Sequence, residues 1–558
     1  MQLFCAVVAF AAIFIGLPSG CAIAAGARNS VVVTLSAAAD KLVAHYELAE
    51  PVDLFEWEEG AAEIRSRTWQ PTTTDIHIEG SQVSRTDHAP LSRFDVQIAA
   101  DDMQVDGVYP IASRVGDAGW LVHVPHLRAR TGTLDTKLEL KLPLAFVCAP
   151  CAGSTTAGTQ SGVFSAPNDA DVFIGPANEI QQQSSPAWTL IGASHVPGWI
   201  APVIQQAANQ ALTTFSARLG PPLVAAPMVV LVYDARPART DYHGDTTAHG
   251  VIALRWHGPA WQDNSGLLPD QVRVSIAHEL FHLWNAETFH QPAGHSASWL
   301  HEGSAQYAAQ LVDRQMSKAS SALRLAAMSQ RLNTCRLKLD LEPLGDSGFD
   351  NGSASYECGA VIQWLADLDS RWTSGEQRDF FSMWRSIFDE AARNGNQYTA
   401  EDFLRIAFTP NDPSRARRSA LAILNERGAQ RWAGLAQSLR SLGLKVTAAA
   451  SDPSLRDRLL LHVLSQSCGA GYYYSLKDAR VQIKTSGGCG PFADRSEVTA
   501  VEGHDLFTDA RAAFDAVNLN CGKNRPVTFT SSDSAQKITA PCKAPLPPAR
   551  ETYTVTEP

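Results

Sequence analysis

The sequence predicts a multidomain α+β protein. An antiparallel β domain is expected first, then a mixed domain with a helical bundle, then a small α/β module. The chain has 558 residues, enough for several separate cores, and its 45% hydrophobic and 18% charged residues are typical of globular domains. Strand-like alternation near both ends flanks a middle stretch whose apolar residues have helical spacing.

Residues 1–24 are predicted to form a secretory signal peptide. An apolar run extends from Leu3 to Leu17, and the small-x-small pattern Ala22-Ile23-Ala24 follows it. The run is short for a membrane span. We therefore expect a secreted or periplasmic protein with no membrane span in the mature chain. Cys21 gives the minor alternative of a lipid anchor.

Residues 25–150 are predicted to form an antiparallel β domain. Segments with strand-like alternation, such as VVVTL at Val31, RFDVQI at Arg93 and WLVHV at Trp120, are separated by turn-forming Asp, Gly and Pro. The following range, 151–185, opens with a stretch rich in Ala, Gly, Ser and Thr, and a linker is predicted there.

Residues 186–450 are predicted to be a mixed domain that becomes helical. Helical spacing of apolar residues predicts a helix from Ile200 to Leu219, and buried strands are predicted at Met228 and Gly250. The strand at Gly250 could be an edge strand that pairs with an extended peptide, or an ordinary strand of a small sheet. Further helices are predicted over residues 321–332, 359–372, 378–393, 400–408 and 414–442.

Residues 455–558 are predicted to be a separate α/β module. Short β segments begin at Ala479, Glu497 and Pro526, and a helical segment begins at Asp509. If Cys5 and Cys21 leave with the signal peptide, eight cysteines remain, and pairing them in sequence order gives four local disulfides, which suits an oxidising compartment. The predicted pairs are Cys148–Cys151, Cys335–Cys358, Cys468–Cys489 and Cys521–Cys542. The CAPC segment could instead be half of a metal knuckle or a redox motif.

The stretch HELFHLWN from His278 contains the pattern HExxH, which predicts a metal site. On a helix, His278 and His282 project from one face about a turn apart and can bind a single ion. Glu279 lies beside them, where a carboxylate can take a proton from a metal-bound water. Two histidines in the core of a buried helix are the alternative interpretation.

A third ligand is expected on a second helix that begins near Ser298. Nineteen residues lie between His282 and Glu302, which is in the segment WLHEGSAQYAAQ, whose apolar residues continue with helical spacing. Two histidines and one glutamate leave a coordination position open for water, which is typical of a catalytic zinc site. His301 is a rival for the third position, and His290 and His295 also lie nearby.

The net charge of −11 argues against a nucleic-acid partner. Proteins that bind nucleic acid usually carry a basic stripe or patch, and the sequence shows none. A peptide or protein substrate is the partner that the metal motif predicts.

The segments HELFHLWN and WLHEG together resemble the glycyl aminopeptidase family of zinc peptidases, family sixty-one of the metallopeptidases and gluzincins like thermolysin. The resemblance implies a β-sandwich over 25–150, a thermolysin-like catalytic domain over 186–450 and a PDZ-like module over 455–558. It also implies one Zn²⁺ ion, with His278, His282 and Glu302 as ligands and Glu279 as the general base.

The segment SYECGAVIQWLADLDSR resembles the Tyr-x-Lys-Gly helix of the same family. By that resemblance Tyr356 is the phenol that hydrogen-bonds the developing oxyanion. Two departures stand out. Cys358 replaces the lysine of the family, and the segment DTTAHGVIAL from Asp245 lacks the glutamate of the Gly-Gly-Leu-Glu-His stretch that helps relatives bind a substrate amino terminus.

These departures leave both an aminopeptidase and an endopeptidase open. A catalytically silent peptidase-fold protein is the alternative of another class; it would act as a binding or interaction module. A redox or metal-handling protein based on the cysteines and histidines is a weaker third hypothesis. A peptide ligand of the C-terminal module is also expected from the PDZ-like resemblance.

Overall fold

The structure is a computed structural model. It describes residues 30–38, 41–58, 61–101, 109–130, 134–142, 146–151, 163–165, 171–184, 186–222, 226–236, 241–247, 250–264, 268–285, 297–317, 320–339, 342–345, 352–408, 414–448, 453–468, 472–477, 479–485, 489–493, 496–531, 537–546 and 552–558. The predicted signal peptide, residues 1–24, lies outside the described residues.

The described residues form a multidomain α+β fold with twelve α-helices and several sheets. The helices are α1 (Ala62–Thr68), α2 (Ile200–Leu219), α3 (Leu268–Asn285), α4 (Ser298–Ser317), α5 (Ser321–Leu339), α6 (Gly352–Ser374), α7 (Phe380–Arg393), α8 (Ala400–Ala407), α9 (Arg415–Asn425), α10 (Gln430–Ser441), α11 (Pro453–Cys468) and α12 (Ala510–Cys521).

The strands of the first part of the chain are β1 (Ser30–Ala37), β2 (Leu42–Val52), β3 (Phe55–Glu56), β4 (Trp69–Pro71), β5 (Ile76–Glu79), β6 (Gln82–Arg85), β7 (Leu91–Ile98), β8 (Ala112–Val115), β9 (Gly119–His123), β10 (Asp135–Lys141), β11 (Phe146–Ala149), β12 (Val163–Ser165) and β13 (Asp171–Pro176). The remaining strands are β14 (Ile180–Ser184), β15 (Ala187–Ile191), β16 (Met228–Asp234), β17 (Asp241–Thr246), β18 (Val251–His257), β19 (Lys445–Ala448), β20 (Tyr472–Lys477), β21 (Arg480–Thr485), β22 (Ser496–Val501), β23 (His504–Asp505), β24 (Val527–Ser531), β25 (Lys537–Ala540) and β26 (Tyr553–Thr556).

The N-terminal part contains a six-stranded sheet in the order β12-β10-β1-β2-β7-β4, a four-stranded sheet in the order β11-β13-β9-β8, and a small sheet of β3, β6 and β5. Alternating residues of β1 and β2, such as Val31, Val33 and Leu42, are buried in one core. The six-stranded sheet is mixed and not purely antiparallel as the sequence predicts, because β1 and β10 run parallel. The long connection between these two strands permits a parallel pairing that a hairpin could not make.

The range 151–185, for which composition predicts a linker, contains strands β12, β13 and β14. The buried residues Val172, Phe173 and Ile174 place β13 inside the four-stranded sheet. The stretch rich in Gly, Ser and Thr, residues 152–162, lies outside the described residues. The prediction of a linker is therefore wrong for the apolar strand β13, because the composition that suggested it is confined to the stretch before that strand.

The next sheet has five strands in the order β14-β15-β16-β18-β17. One face packs against the four-stranded sheet, where Phe173 and Val115 meet Val230 and Ala253 in a shared apolar cluster. Strand β18, the segment for which an edge position was one hypothesis, lies between β16 and β17, and the edge strand is β17. The first six residues of β18 are all buried, so both faces of the strand are covered, as is typical of a central strand.

The other face of this sheet is covered by helices, and one large core joins α2, α3, α4, α6 and α7. Helix α2 has the predicted bounds, and it ends at Gly220, whose φ of 95° is unfavourable for other residues. The predicted helix over 414–442 is divided into α9 and α10. Gly428, with a φ of 95°, lies between them and interrupts the helical backbone.

The C-terminal part contains the sheet β20-β21-β22-β24-β25, with β23 beside β22, and helices α11 and α12 over a separate core. The predicted strand and helical segments at Ala479, Glu497, Asp509 and Pro526 are present, and α11 is an additional helix. Strand β26 does not belong to this sheet. It pairs with β19, so the chain returns to the helical bundle after the module.

The four cysteine pairs predicted from sequence order are confirmed: Cys148–Cys151, Cys335–Cys358, Cys468–Cys489 and Cys521–Cys542 are bonded. The second pair joins α5 to the beginning of α6. Among the described residues, no helix combines the length and the apolar character that crossing a bilayer requires.

Candidate metal centre

Helices α3 and α4 bring His278, His282 and Glu302 together in a buried cluster. His278 Nε2 lies 3.0 Å from Glu302 Oε2 and 3.2 Å from His282 Nε2. His282 Nε2 lies 3.6 Å from the same carboxylate oxygen. Two imidazole nitrogens and one carboxylate oxygen therefore point at a common position.

The local sequence explains this arrangement. His278 and His282 are one turn apart on α3, so their rings lie one above the other on the same helix face. Ile276, Leu280 and Leu283 of the same helix are buried in the large core and fix its rotation about its axis. The two histidines consequently face α4, on which Glu302 lies in the first two turns.

Asn285, at the end of α3, orients His282 and links the two helices. Its Oδ1 lies 2.9 Å from His282 Nδ1, so the Nδ1–H of that ring can donate to it and leave the Nε2 lone pair directed at the cluster. Asn285 Nδ2 donates to the backbone oxygen of His301 at 3.1 Å and to Ser304 Oγ at 3.1 Å. Sequence reasoning missed this residue, although its spacing of three from His282 places it on the same face.

Glu279 lies on α3 beside the cluster and contacts the edge strand β17. Thr246 Oγ1 lies 2.9 Å from Glu279 Oε2, so the hydroxyl can donate to the carboxylate. Gly244 makes room for the same carboxylate, because a Cβ atom there would lie 2.5 Å from Glu279 Oε1. Neither Thr246 nor Gly244 was singled out from the sequence, since the strand DYHGDT shows no apolar alternation.

Tyr356, on α6, lies beside the cluster. Its ring lies parallel to that of His278 with centroids 5.5 Å apart, and 37% of the residue's surface is exposed. Burial, together with the negative charges of Glu302 and Glu279, raises the pKa of the phenol, so Tyr356 is a proton donor in its ordinary state.

Helix α6 reaches this position because it crosses α4 at two glycines. A Cβ atom on Gly359 would overlap the backbone oxygen of Trp299 and lie 2.8 Å from Gly303 Cα. The hydroxyl groups of Ser298 and Ser355 are 2.8 Å apart at the same crossing. The close approach of the two backbones sets the distance between Tyr356 and Glu302.

His301, the rival for the third position, stacks on His282 with ring centroids 4.2 Å apart. Burial and the neighbouring histidine His282 lower its pKa to about 3, so it is neutral. Glu302 and not His301 completes the group of three ligand atoms. His290 and His295 lie outside the described residues.

The donor set fits a zinc ion. Two His nitrogens and one carboxylate oxygen match the ligands of open catalytic zinc sites. Two Nε2 atoms 3.2 Å apart also repel each other unless a cation or a proton lies between them. Burial opposes a charge on His282, but the hydrogen bond to Glu302 and its charge outweigh burial and raise the pKa of His282 to about 9. The cluster is therefore electrostatically suited to a cation.

An ion pair between Asp245 of β17 and Arg255 of β18 connects the N-terminal four-stranded sheet to the sheet that borders this site. Arg255 pairs with Asp245, and its Nε donates to Ser113 Oγ of β8 at 3.1 Å. Burial raises the pKa of Asp245 to about 6, although Arg255 acts in the opposite direction. This contact joins residues 142 positions apart in the chain, so the sequence gives no local signal for it.

A comparison of the sequence with protein-family models and with curated proteins finds no match. The fold resembles that of an aminopeptidase N family protein from Idiomarina loihiensis, with a TM-score of 0.58, 13% identity, and 95% of this chain and 98% of that chain covered. More distant similarity is found to an M1 zinc metallopeptidase from Deinococcus radiodurans, with a TM-score of 0.39, 14% identity, and coverage of 72% and 93%. The first of these comparisons shows a shared fold.

Proposed function

We propose that this chain is a zinc-dependent metallopeptidase that hydrolyses peptide bonds. The convergence of His278 Nε2, His282 Nε2 and Glu302 Oε2 in a buried cluster carries the proposal. The overall fold, shared with an aminopeptidase N family protein, supports it. The sequence resemblance to the glycyl aminopeptidase family gives the finer assignment.

His278, His282 and Glu302 hold one zinc ion in this proposal. Bound zinc supplies a Lewis acid that polarises the scissile carbonyl and makes a water molecule acidic near neutral pH. By accepting from Nδ1–H, Asn285 selects the tautomer of the neutral His282 ring whose Nε2 lone pair can bind zinc. Open coordination beyond these three ligands leaves room for water and substrate.

Glu279 is the general base in this proposal. Its carboxylate accepts a proton from the attacking water and passes it to the nitrogen of the leaving amine. The hydrogen bond from Thr246 orients the carboxylate, and the absence of a side chain at Gly244 lets it sit against β17. Tyr356 donates a hydrogen bond to the substrate oxygen as negative charge develops on it.

Strand β17 gives the substrate a docking edge. It is the outer strand of the five-stranded sheet, and its residues Gly244 and Thr246 contact Glu279. An extended peptide that paired with this edge would pass beside the general base. Cleavage at an amino terminus and internal cleavage both fit this placement.

Secretion or export to a periplasm belongs to the same proposal. Four disulfides are stable in an oxidising compartment. We also propose that residues 455–558 form a PDZ-like module that binds a peptide. Residues 25–150 and 186–450 form the β-sandwich and catalytic domains in this proposal.

The test compares the wild-type protein with the variant Glu279→Gln. We expect the wild type to cleave a mixed peptide library and the variant to lose about 10³-fold or more in kcat, while both retain one equivalent of zinc by elemental analysis. Glu401→Gln, at an exposed position on α8, is the matched control and should keep full activity. A zinc-loaded wild type that cleaves no peptide, or a Glu279→Gln variant with unchanged activity, would overturn the proposal. The fragments distinguish amino-terminal from internal cleavage.

A further inference from the structure

A cavity of about 870 Å³ opens between helices α2, α4, α5 and α6, away from the metal centre. Arg314 lines it from the last turns of α4, whereas Glu302 lies near the beginning of that helix. Arg314 is twelve positions beyond Glu302, roughly 18 Å along the helix axis, and Tyr307, five positions beyond Glu302, lines the cavity nearer the metal cluster. No residue of the proposed catalytic machinery lines it.

One wall of the cavity carries arginines that are neutralised by carboxylates. Arg218 lies 2.6 Å from Asp379. Arg371 lies 3.0 Å from Asp367 and 3.1 Å from Glu376. These ion pairs satisfy the charges of this wall, and it offers little attraction to an additional ion.

Another part of the lining carries Arg314, whose charge is not neutralised by a direct ion pair among the described residues; the carboxylate of Asp367 acts on it only from a longer distance. Arg314 is half-buried, and no carboxylate of the described residues lies within ion-pair distance of it. Its nearest polar side-chain contact is the amide of Gln310 at 3.5 Å, and the oxygen of that amide is better placed to accept from Arg331. Burial, with the positive charges of Arg324 and Arg331, lowers the pKa of Arg314, although Tyr307 and Asp367 act in the opposite direction. A guanidinium held against like charges is stabilised when an anion binds.

Two further features of this part of the lining favour an anion with an apolar body. Helix α5 begins at Ser321, which lines the cavity, so the positive end of a helix of 19 residues points toward the same space as Arg314 and Arg324. Leu325 and Met328 of the same helix α5, together with Trp364 of α6, add apolar surface to the lining. Positive charge and apolar surface thus line the same cavity.

We propose that this cavity binds a small organic carboxylate, with the carboxylate against Arg314 and Arg324 and the apolar body against Leu325, Met328 and Trp364. The proposal does not depend on the proposed peptidase function. Glu557 also lines the cavity, and its negative charge weakens the attraction for an anion.

The test uses N-acetyl-L-phenylalanine as the probe and N-acetyl-L-phenylalaninamide as its uncharged counterpart, with binding to the full chain measured by isothermal titration calorimetry. Because a carboxylate can also bind a metal ion, the titration is made after chelation of the zinc. We expect the acid to bind and the amide to bind at least about tenfold more weakly.

Variants locate the binding. Arg314→Gln should weaken binding of the acid about tenfold, Arg324→Gln should weaken it as well, and Glu557→Gln should strengthen it. Arg393→Gln, at an exposed position on α7, is the matched control and should leave the affinity unchanged. Circular dichroism identifies any arginine variant that fails to fold, in which case the other arginine variant decides. Equal affinity for acid and amide, no binding of the acid, or an unchanged affinity in a folded Arg314→Gln or Arg324→Gln variant would overturn the proposal.

Discussion

The hydroxyl of Thr246 lies 2.9 Å from Glu279 Oε2 and 3.1 Å from the backbone oxygen of Glu279. This contact connects the edge strand β17 to helix α3, which carries His278 and His282. A hydrogen bond to a carboxylate contributes about 1.5–3 kcal/mol, so it can hold the side chain in one position. The strand proposed as the docking edge for the substrate therefore also positions the proposed general base.

Replacement of Thr246 by valine is expected to lower kcat by about 10–100-fold with little change in KM. Valine keeps the shape of threonine and removes the donor, so Glu279 loses its orientation but the packing stays. The Thr246→Ser variant keeps the hydroxyl and should retain most of the wild-type kcat. Steady-state kinetics on one peptide substrate make the comparison. Equal losses in the valine and serine variants would show that packing, and not the hydrogen bond, is responsible.

Gly244→Ala is expected to reduce kcat/KM by about 100-fold while the protein stays folded. The new methyl group would lie 2.5 Å from Glu279 Oε1, and the carboxylate is the flexible end of a side chain that can move away at low cost. A displacement of about 1 Å of a reacting group can cost that much in rate. Activity assays and thermal melting measure the two effects separately.

Gly198→Ala is the matched control for that variant. A methyl group added at Gly198 would meet no atom within 4 Å, so alanine there should change neither rate nor melting temperature. If Gly244→Ala kept full activity, Glu279 would not need its position against β17, and its role as the general base would be in doubt.

The sequence predicts elements whose signal is local. Helix α2 has the predicted bounds because apolar residues recur at helical spacing and Gly220 follows at once. The group of His278, His282 and Glu302 could be proposed from spacing and resemblance because two ligands share one helix turn and the third opens the next helix. Local patterns also place strands β21, β22 and β24 of the C-terminal sheet, but they do not predict β20, β23 and β25.

The remaining features depend on contacts between distant residues. Strand β17 has six partly or fully exposed residues and no apolar alternation, and its pairing with β18 makes it a strand. The contact of Arg255 with Ser113 joins two parts of the chain that have no common pattern. The role of Asn285 is visible only in the folded chain. There, its amide nitrogen is held by the His301 backbone oxygen and Ser304 of α4, which directs its oxygen at His282.

Asn285→Leu is expected to reduce zinc affinity by about 10–100-fold. The substitution removes the acceptor of His282 Nδ1–H, so the ring loses its orientation, and outer partners of metal ligands typically contribute this much. Asn285→Asp keeps an acceptor for His282 and should lose less zinc affinity, but it removes the donor to His301 and Ser304 and should melt at a lower temperature. Competition with a chelator gives the affinities. Equal zinc affinity in the leucine variant and the wild type would contradict the role of Asn285.

Gly359→Ala is expected to destabilise the protein by about 1–3 kcal/mol and to lower zinc affinity as well. The added methyl group would overlap the backbone oxygen of Trp299, and backbone cannot rotate away as a side chain can. Helices α4 and α6 must separate, so Glu302 moves relative to the histidines of α3. Gly434→Ala, on α10 with no atom near the methyl position, is the control; it should leave zinc affinity unchanged and stabilise the protein by about 0.5–1 kcal/mol, because alanine is the better helix former. A stable variant with normal zinc affinity would show that the crossing tolerates a wider separation.

Stability is expected to fall between pH 7 and pH 5 because of buried His126. Burial, assisted by the charge of His123, lowers the pKa of His126 to about 3, so the folded state keeps the ring neutral while the unfolded chain takes up a proton near pH 6.5. The contribution of His126 to the free energy of unfolding is fully present above pH 6.5. It decreases as the pH falls toward 3, and about 2 kcal/mol of it is lost by pH 5. His243, whose pKa is also lowered to about 3, acts in the same direction, and Asp245, whose pKa is raised to about 6, acts in the opposite one.

The measurement must therefore be a difference between two proteins. The free energy of unfolding by urea is measured at pH 7 and pH 5 for the wild type and for His126→Asn. The variant should be less stable at pH 7, because it loses the hydrogen bond to the backbone oxygen of Tyr109, and it should lose about 2 kcal/mol less than the wild type on acidification. Parallel decreases in the two proteins would mean that His126 takes up no proton when the chain unfolds, and the other titrating groups would then account for the whole effect of pH.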